Sequence, residues 1–279
     1  MASKFTRKSW CFKDSLSSSP VIKFNNAISL KMNETISTKG NYIGSGDHLL
    51  YFNPSFAELS SDGYFEYQTP SALLESSVPF LRRMWAMGSI CFNSRLKLGL
   101  DYECVENIKF IKKIQGNYFV SVLREIRDQG STSDKPLIKE IRTLIYCNSP
   151  HSQVESISKN LNYTYKIPIS FSDLDIFRHC ALTYNSHRIH WDLEYCQKVE
   201  GYHDIVTPGP LILHTLLKYV ESELGLQIQS IQYKNTNCVY RGTELEMCVT
   251  QICDGHWLAL ITDAKDPNLA YFEASLRVS

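Results

Sequence analysis

The sequence has no excess of charge of either sign. Lysine plus arginine and aspartate plus glutamate number 29 each, for a formal net charge of zero at pH 7 with histidine neutral. A balanced chain has no general attraction for a phosphate backbone, which argues against nucleic acid as the main partner. No apolar run approaches the ~18 residues that a membrane-spanning helix needs, so no membrane span is expected. No CxxC pair occurs among the nine cysteines (Cys11, Cys91, Cys104, Cys147, Cys180, Cys196, Cys238, Cys248 and Cys253). An odd, unpatterned set reads as free thiols in a reducing compartment, packed as small apolar residues. No GxSxG elbow is present, which argues against a serine hydrolase of that type. His187 and His190 lack the Asp/Glu partners of a zinc motif, so no metal or other cofactor is expected.

What is present supports a folded chain of two units. Hydrophobic residues make up 43% of the 279 residues, enough for a sizeable core and long enough for two domains or one large one. Residues 1 to 33 stand apart. Lys4, Arg7, Lys8, Lys13, Lys23 and Lys31 face one acid there, Asp14, and serine is frequent. Basic, serine-rich and acid-poor is the composition of a mitochondrial targeting leader, and the apolar stretch of a secretory signal is missing. A disordered cytosolic tail is the alternative. A polar link runs from Ser149-Pro150 to Lys159. The two units are therefore expected at 40–148 and 160–279.

The first unit reads as long strands joined by tight turns. Arg82 to Phe92, Tyr102 to Ile114, Tyr118 to Ile126 and Leu137 to Tyr146 are the strand candidates, with turns at Asp62-Gly63 and Gly116-Asn117. The second unit opens on a short strand at Tyr163 to Ser170. Ser172, three residues before Asp175, is a capping-box start for a helix over 173–184. Asp192 can cap a second helix ending near Gly201. Pro210 suits the first turn of a long buried helix and Gly225 its stop. Strands are then expected at 227–238, 244–253, 256–263 and 270–278. One buried helix followed by an antiparallel sheet that wraps it is a hot-dog fold, in the α+β class. The expected architecture is a double hot-dog: two antiparallel sheets, each wrapping a central helix. Similar runs at 99–108 and 242–252 echo one another and support the repetition.

The stretch from Phe171 to Asp192 concentrates the chemistry. Its helix ends at Asn185-Ser186-His187-Arg188, and His190 follows two residues later. His190 is the best candidate acid or base, because imidazole titrates near neutral pH. A purely structural histidine is the alternative. Gly209 lies just before the long helix, where an N–H can face a developing oxyanion with the helix dipole behind it. Pro210 has no N–H, so the donor is Gly209 or a residue further along. A histidine base and an oxyanion donor suit proton removal next to a thioester carbonyl. In the first unit, Arg82-Arg83 followed by Trp85 is the sharpest feature. Paired guanidinium groups suit a phosphate, and solvated charges beside a core tryptophan are the alternative.

The run from Thr183 to Asp192, TYNSHRIHWD, resembles the motif of MaoC-like, hydratase 2 enzymes. Taken with Glu200-Gly201-Tyr202 and Gly209-Pro210-Leu211, it is similar to the fungal mitochondrial 3-hydroxyacyl-thioester dehydratases of type 2. Mesaconyl-C4-CoA hydratases share the pattern. The first unit matches too, at His48 to Phe52, at Asp62-Gly63 and from Pro79 to Trp85. The resemblance implies dehydration of (3R)-hydroxyacyl thioesters to trans-2-enoyl thioesters, on acyl carrier protein or CoA, in type II fatty acid synthesis of the mitochondrial matrix. It puts His190 on the family histidine, Gly209 on the oxyanion glycine and Asn185 on the family aspartate. His187 falls on the family asparagine. An amide cannot accept a proton at pH 7, so His190 is expected to take the α-proton and return it to the leaving hydroxyl, with Asn185 orienting the oxygen. Arg188, Arg178, Arg82, Arg83 and Trp85 are the expected substrate-binding residues; the arginines, Arg188 first, are expected to meet the phosphate of the carrier arm or an acidic carrier protein. The first unit lacks the motif and is expected to be non-catalytic. A monomer whose halves form a pseudo-dimer and a homodimer both fit. The competing readings are a CoA-ester hydratase and a non-catalytic acyl-thioester-binding protein.

Overall fold

A computed structural model describes residues 8–32, 41–55, 57–130, 133, 135–149 and 162–279. In chain order the first half contains β1 (Ser9–Ser15), α1 (Ser18–Met32), α2 (Pro70–Leu74), β2 (Arg82–Phe92), β3 (Asp101–Ile114), β4 (Asn117–Asp128) and β5 (Ile138–Cys147). The second half contains β6 (Tyr165–Ile169), α3 (Asp173–Leu182), α4 (Leu193–Tyr195), α5 (Gly209–Ser222), β7 (Ile228–Asn235), β8 (Leu245–Cys253), β9 (His256–Asp263) and β10 (Ala270–Val278). The expected link from residue 149 to 159 lies, beyond Ser149, outside the described residues.

The strands form one antiparallel sheet in the order β1-β3-β4-β5-β2-β7-β10-β9-β8-β6. Each half repeats one topology: its first strand at the outer edge, its second at the centre, its last three between. The halves meet where β2 pairs antiparallel with β7, with Ser89 opposite Gln232. The expectation of two separate sheets is corrected by this continuous ladder. The echoing runs 99–108 and 242–252 fall on β3 and β8, which hold equivalent places in the two halves.

Gly88 sits at this joint. A side chain there would collide with the Ile141 carbonyl and the Tyr233 hydroxyl. Backbone on one side leaves little room to relax. Gly88→Ala is expected to cost about 2 kcal/mol or more of stability, measured by urea unfolding; an unchanged midpoint would show that the strands can part there.

The second half has the expected central helix. Every residue of α5 from Leu211 to Val220 is buried. Its buried His214 and Lys218 face one carboxylate from the first half. His214 Nε2 lies 2.9 Å from Asp47 Oδ1, and Lys218 Nζ lies 2.6 Å from the same oxygen. Leaving any of the three unpaired in the interior would be costly. The first half differs. Among the described residues the helix directly before β2 is the five-residue α2, where the 14-residue α5 stands directly before β7.

Within the expected leader, β1 and α1 are folded onto the rest of the chain. Residues 1–7 lie outside the described residues, but β1 pairs with β3 from Ser9↔Asn107 to Ser15↔Asp101. Val21, Phe24 and Ile28 of α1 are buried in the main core. Their i, i+3, i+7 spacing makes an apolar helical stripe, which the serine-rich, lysine-rich composition hides. The first half thus begins at β1, well before residue 40.

Elsewhere the periodicity holds closely. Ser172 and Asp175 form a full capping box on α3. The β3–β4 turn is Gln115-Gly116, one residue earlier than expected. Both residues have positive φ (49° and 85°), the geometry of a two-residue hairpin turn.

Candidate active site

The site grows from the exit of α3. Thr183 ends the helix, and Tyr184 turns the chain with φ 53°. Asn185 then closes a local loop: its Oδ1 accepts from His187 N at 3.1 Å, and its own N–H donates to the Cys180 carbonyl at 2.9 Å. With Oδ1 engaged, the free end of Asn185 is its NH2 group, a donor.

His190 closes a short 3-10 turn, Arg188–His190, and is only 8% exposed. Two hydrogen bonds tie this turn to the strand-like segment leading into α5. Val206 N donates to the Ile189 carbonyl at 2.9 Å, and His190 Nδ1 lies 2.7 Å from the Val206 carbonyl. A carbonyl accepts only, so Nδ1 carries the hydrogen and Nε2 keeps its lone pair. Burial pushes His190 down to about 3, with His187 lowering it further against the opposing Val206 bond. The ring is therefore a neutral base at pH 7.

Val206 also sets the approach to the oxyanion donor. Pro208 is the N-cap of α5. Leu211 N–H and Ile212 N–H both return to the Pro208 carbonyl, at 3.0 and 3.4 Å, and Pro210 has no N–H. Among the described residues Gly209 N–H meets no acceptor. Of the two sequence alternatives, the open donor is thus Gly209 itself. A side chain at 209 would crowd Asn235 Nδ2 at 3.0 Å. That amide in turn donates to the Trp85 carbonyl at 2.7 Å.

The first half grips the motif from the other side. The Asp62 carbonyl accepts from Arg188 N at 2.8 Å, and the Gly63 carbonyl from Ser186 Oγ at 2.6 Å. Gly63 has φ 81°, and a Cβ there would lie 2.5 Å from the Ser186 carbonyl. This close approach requires glycine. Between the halves opens a cleft of about 600 Å³, whose walls include Leu59, Phe65, Phe177, Tyr184, Asn185 and Trp191. Asn185 is the one expected catalytic residue in its lining; His190 and Gly209 are not in it.

Three expected substrate-binding residues are engaged inside the fold. Arg83 is 2% exposed and donates to Asp62 at 2.9 and 3.2 Å, to the Phe65 carbonyl and to Ser60. Arg82 is 4% exposed and donates to the Ser149 and Glu200 carbonyls. Trp85 stacks under Arg142, 4.8 Å from its guanidinium, and edges onto Tyr233. Adjacent arginines on a strand face opposite sides, so Arg82 and Arg83 cannot clamp one phosphate together. Arg188 donates twice to Asp192 and lies over the Tyr195 ring, with part of its side chain still exposed. Arg178 is exposed and makes no ion pair among the described residues; it lines a second groove, with Lys23, between α1 and α3.

Sequence reading missed Asp62 and Glu200 as site residues. Both flank His187. Both lie in runs that carry the family resemblance, but nothing in either run marks its carboxylate as buried beside His187.

The fold is shared with solved MaoC-like dehydratases. The structure of a MaoC-like dehydratase from Phytophthora capsici superposes with a TM-score of 0.73, covering 99% of this chain and 96% of that one, at 10% identity; the likeness is one of fold. The sequence relatives are more specific. A hydroxyacyl-thioester dehydratase type 2, mitochondrial, from Saccharomyces cerevisiae is 33% identical over 277 residues, covering 96% of this chain and 98% of that one. The protein of the same description from Schizosaccharomyces pombe is 26% identical and covers 91% and 94%. The profile of the hydroxyacyl-thioester dehydratase type 2 family matches residues 46–241, and the chain belongs to that family.

Proposed function

We propose that this protein is a hydro-lyase that converts (3R)-hydroxyacyl thioesters to trans-2-enoyl thioesters. The observation that carries the reading is the His190 Nδ1–Val206 bond, which leaves a neutral Nε2 base next to the chain segment ending at the open Gly209 N–H. The α-proton of a thioester is weakly acidic, so stabilising the enolate oxygen is the larger requirement. In this reading Gly209 N–H receives that oxygen while His190 takes the proton from C2. The NH2 group of Asn185 donates to the hydroxyl at C3 and orients it for departure. In the simplest scheme His190 then returns its proton to that hydroxyl, which leaves as water.

The acyl chain is assigned to the apolar cleft beside Asn185. The phosphate of the carrier arm falls to Arg178 and the exposed part of Arg188, since Arg82 and Arg83 are committed elsewhere. Acyl carrier protein as the carrier, type II fatty acid synthesis as the pathway and the mitochondrial matrix as the place are part of the proposal. The relatives' description as mitochondrial supports the last of these. The β2–β7 joint supports a monomer whose halves pair as a dimer would. The test is the reverse reaction: the purified chain with trans-2-enoyl-CoA. Water addition yielding the (3R) product is expected. Binding without turnover would favour a non-catalytic thioester-binding protein.

A further inference from the structure

We propose that His187, held between Asp62 and Glu200, is the second proton carrier of the site and supplies the proton that the leaving hydroxyl takes. The inference rests on the dehydratase reading above and adds a residue to it. His187 is 5% exposed, and its Nε2 lies 3.7 Å from Asp62 Oδ2 and 3.8 Å from Glu200 Oε1. Nε2 makes no hydrogen bond among the described residues, and the fully buried Glu200 carboxylate faces the Tyr195 hydroxyl. An isolated buried carboxylate is expensive. Asp62 is balanced by Arg83 at 2.9 Å. Arg82 meets Glu200 only at its backbone carbonyl. His187 Nε2 is the ring nitrogen that stands within 4 Å of both carboxylates.

The position suits delivery. The His187 ring stands 5.4 Å from the His190 ring, edge to face. Its backbone N–H is held by Asn185, the residue assigned to the departing oxygen. The Asn185 amide itself cannot give up a proton at pH 7. The step balances as follows. The C2–H bond breaks and its proton goes to His190 Nε2. The electron pair becomes the second C2–C3 bond as C3–O breaks. The oxygen takes a proton from His187 and leaves as water, and the proton on His190 returns to the His187 cluster through that water. Asp62 gives the first half a part in the chemistry, although that half has no motif of its own.

The test compares four variants of the full chain on a (3R)-hydroxyacyl-CoA: His187→Asn, Glu200→Gln, Asn185→Asp with His187→Asn, and His190→Gln. His187→Asn is expected to lower kcat about 100-fold with KM changed by less than about threefold, the range of a lost general acid. Glu200→Gln, which keeps the side-chain volume, is expected to lower kcat about tenfold by removing one charge that holds the proton. Adding Asn185→Asp to His187→Asn is expected to recover about tenfold, because a carboxyl at 185 can carry the missing proton. A structural role for His187 would not be repaired by an acid two residues away. The proposal is overturned if His187→Asn keeps kcat within about threefold of the wild type, or if its loss is untouched by Asn185→Asp. If the unsubstituted chain itself fails to turn over, or His190→Gln is fully active, the dehydratase reading fails instead.

Discussion

His190→Ala lowers kcat/KM for thioester dehydration by about 10³-fold, the largest kinetic effect expected of any single substitution here. The ring is a neutral base because burial, and then the proximity of His187, push it down to about 3. It is aimed because Nδ1 is tied to the Val206 carbonyl. Alanine removes the base and leaves the Gly209 donor and the cleft in place. Residual activity is therefore expected from oxyanion binding alone, with substrate binding little changed. Stability should fall by only about 1 kcal/mol for the lost hydrogen bond, so circular dichroism and urea unfolding separate chemistry from folding. A variant with wild-type rates would remove His190 from the mechanism.

Mild acid destabilises the chain: between pH 7.5 and 5.5 the unfolding free energy drops by about 3 kcal/mol from His190 and His214, and further from His48 and His179. Four buried histidines set this. Burial lowers His48, His179, His190 and His214 below the ordinary value, His190 to about 3 and His214 to about 4. In the unfolded chain each takes up a proton near pH 6.5. Below that pH the unfolded state binds protons that the folded state refuses, so stability is full above pH 6.5 and is lost as pH falls toward 4. Each histidine contributes a slope of about 1.4 kcal/mol per pH unit in that window. Buried carboxylates add their share lower down. Burial works to raise Asp47, but Lys218 and then His214 bring it below the usual range. Arg142 and Arg124 do the same for Glu140. A typical domain holds about 5–15 kcal/mol, so the loss is a large fraction of the total. Urea unfolding at pH 7.5, 6.5 and 5.5 measures it, and a flat profile would mean that these histidines are charged in the folded state.

Strand periodicity was readable because alternation survives in half-buried strands. β2, β9 and β10 fall on their expected bounds, and β3 to β8 within a few residues. Caps were readable where one side chain decides them, as at Ser172 and Asp192. The first 33 residues were not, because composition describes a whole window, whereas three apolar residues at helical spacing suffice to anchor α1. Likewise, arginine pairs announce charge but not burial. Arg82 and Arg83 read as an anion site, and only tertiary contacts reveal carbonyls and Asp62 waiting for them. His190, Asn185 and Gly209 could be proposed from local context alone. Asp62 and Glu200 could not, since they reach His187 from 125 residues before it and 13 after it in the sequence, distances that only folding closes.

The most direct measurement gives the purified chain (3R)- and (3S)-3-hydroxyacyl thioesters separately and follows the trans-2-enoyl product by chromatography. The account predicts conversion of the (3R) thioester alone, lowered about 10³-fold in His190→Ala. Conversion of the (3S) thioester alone, or of neither, would contradict it.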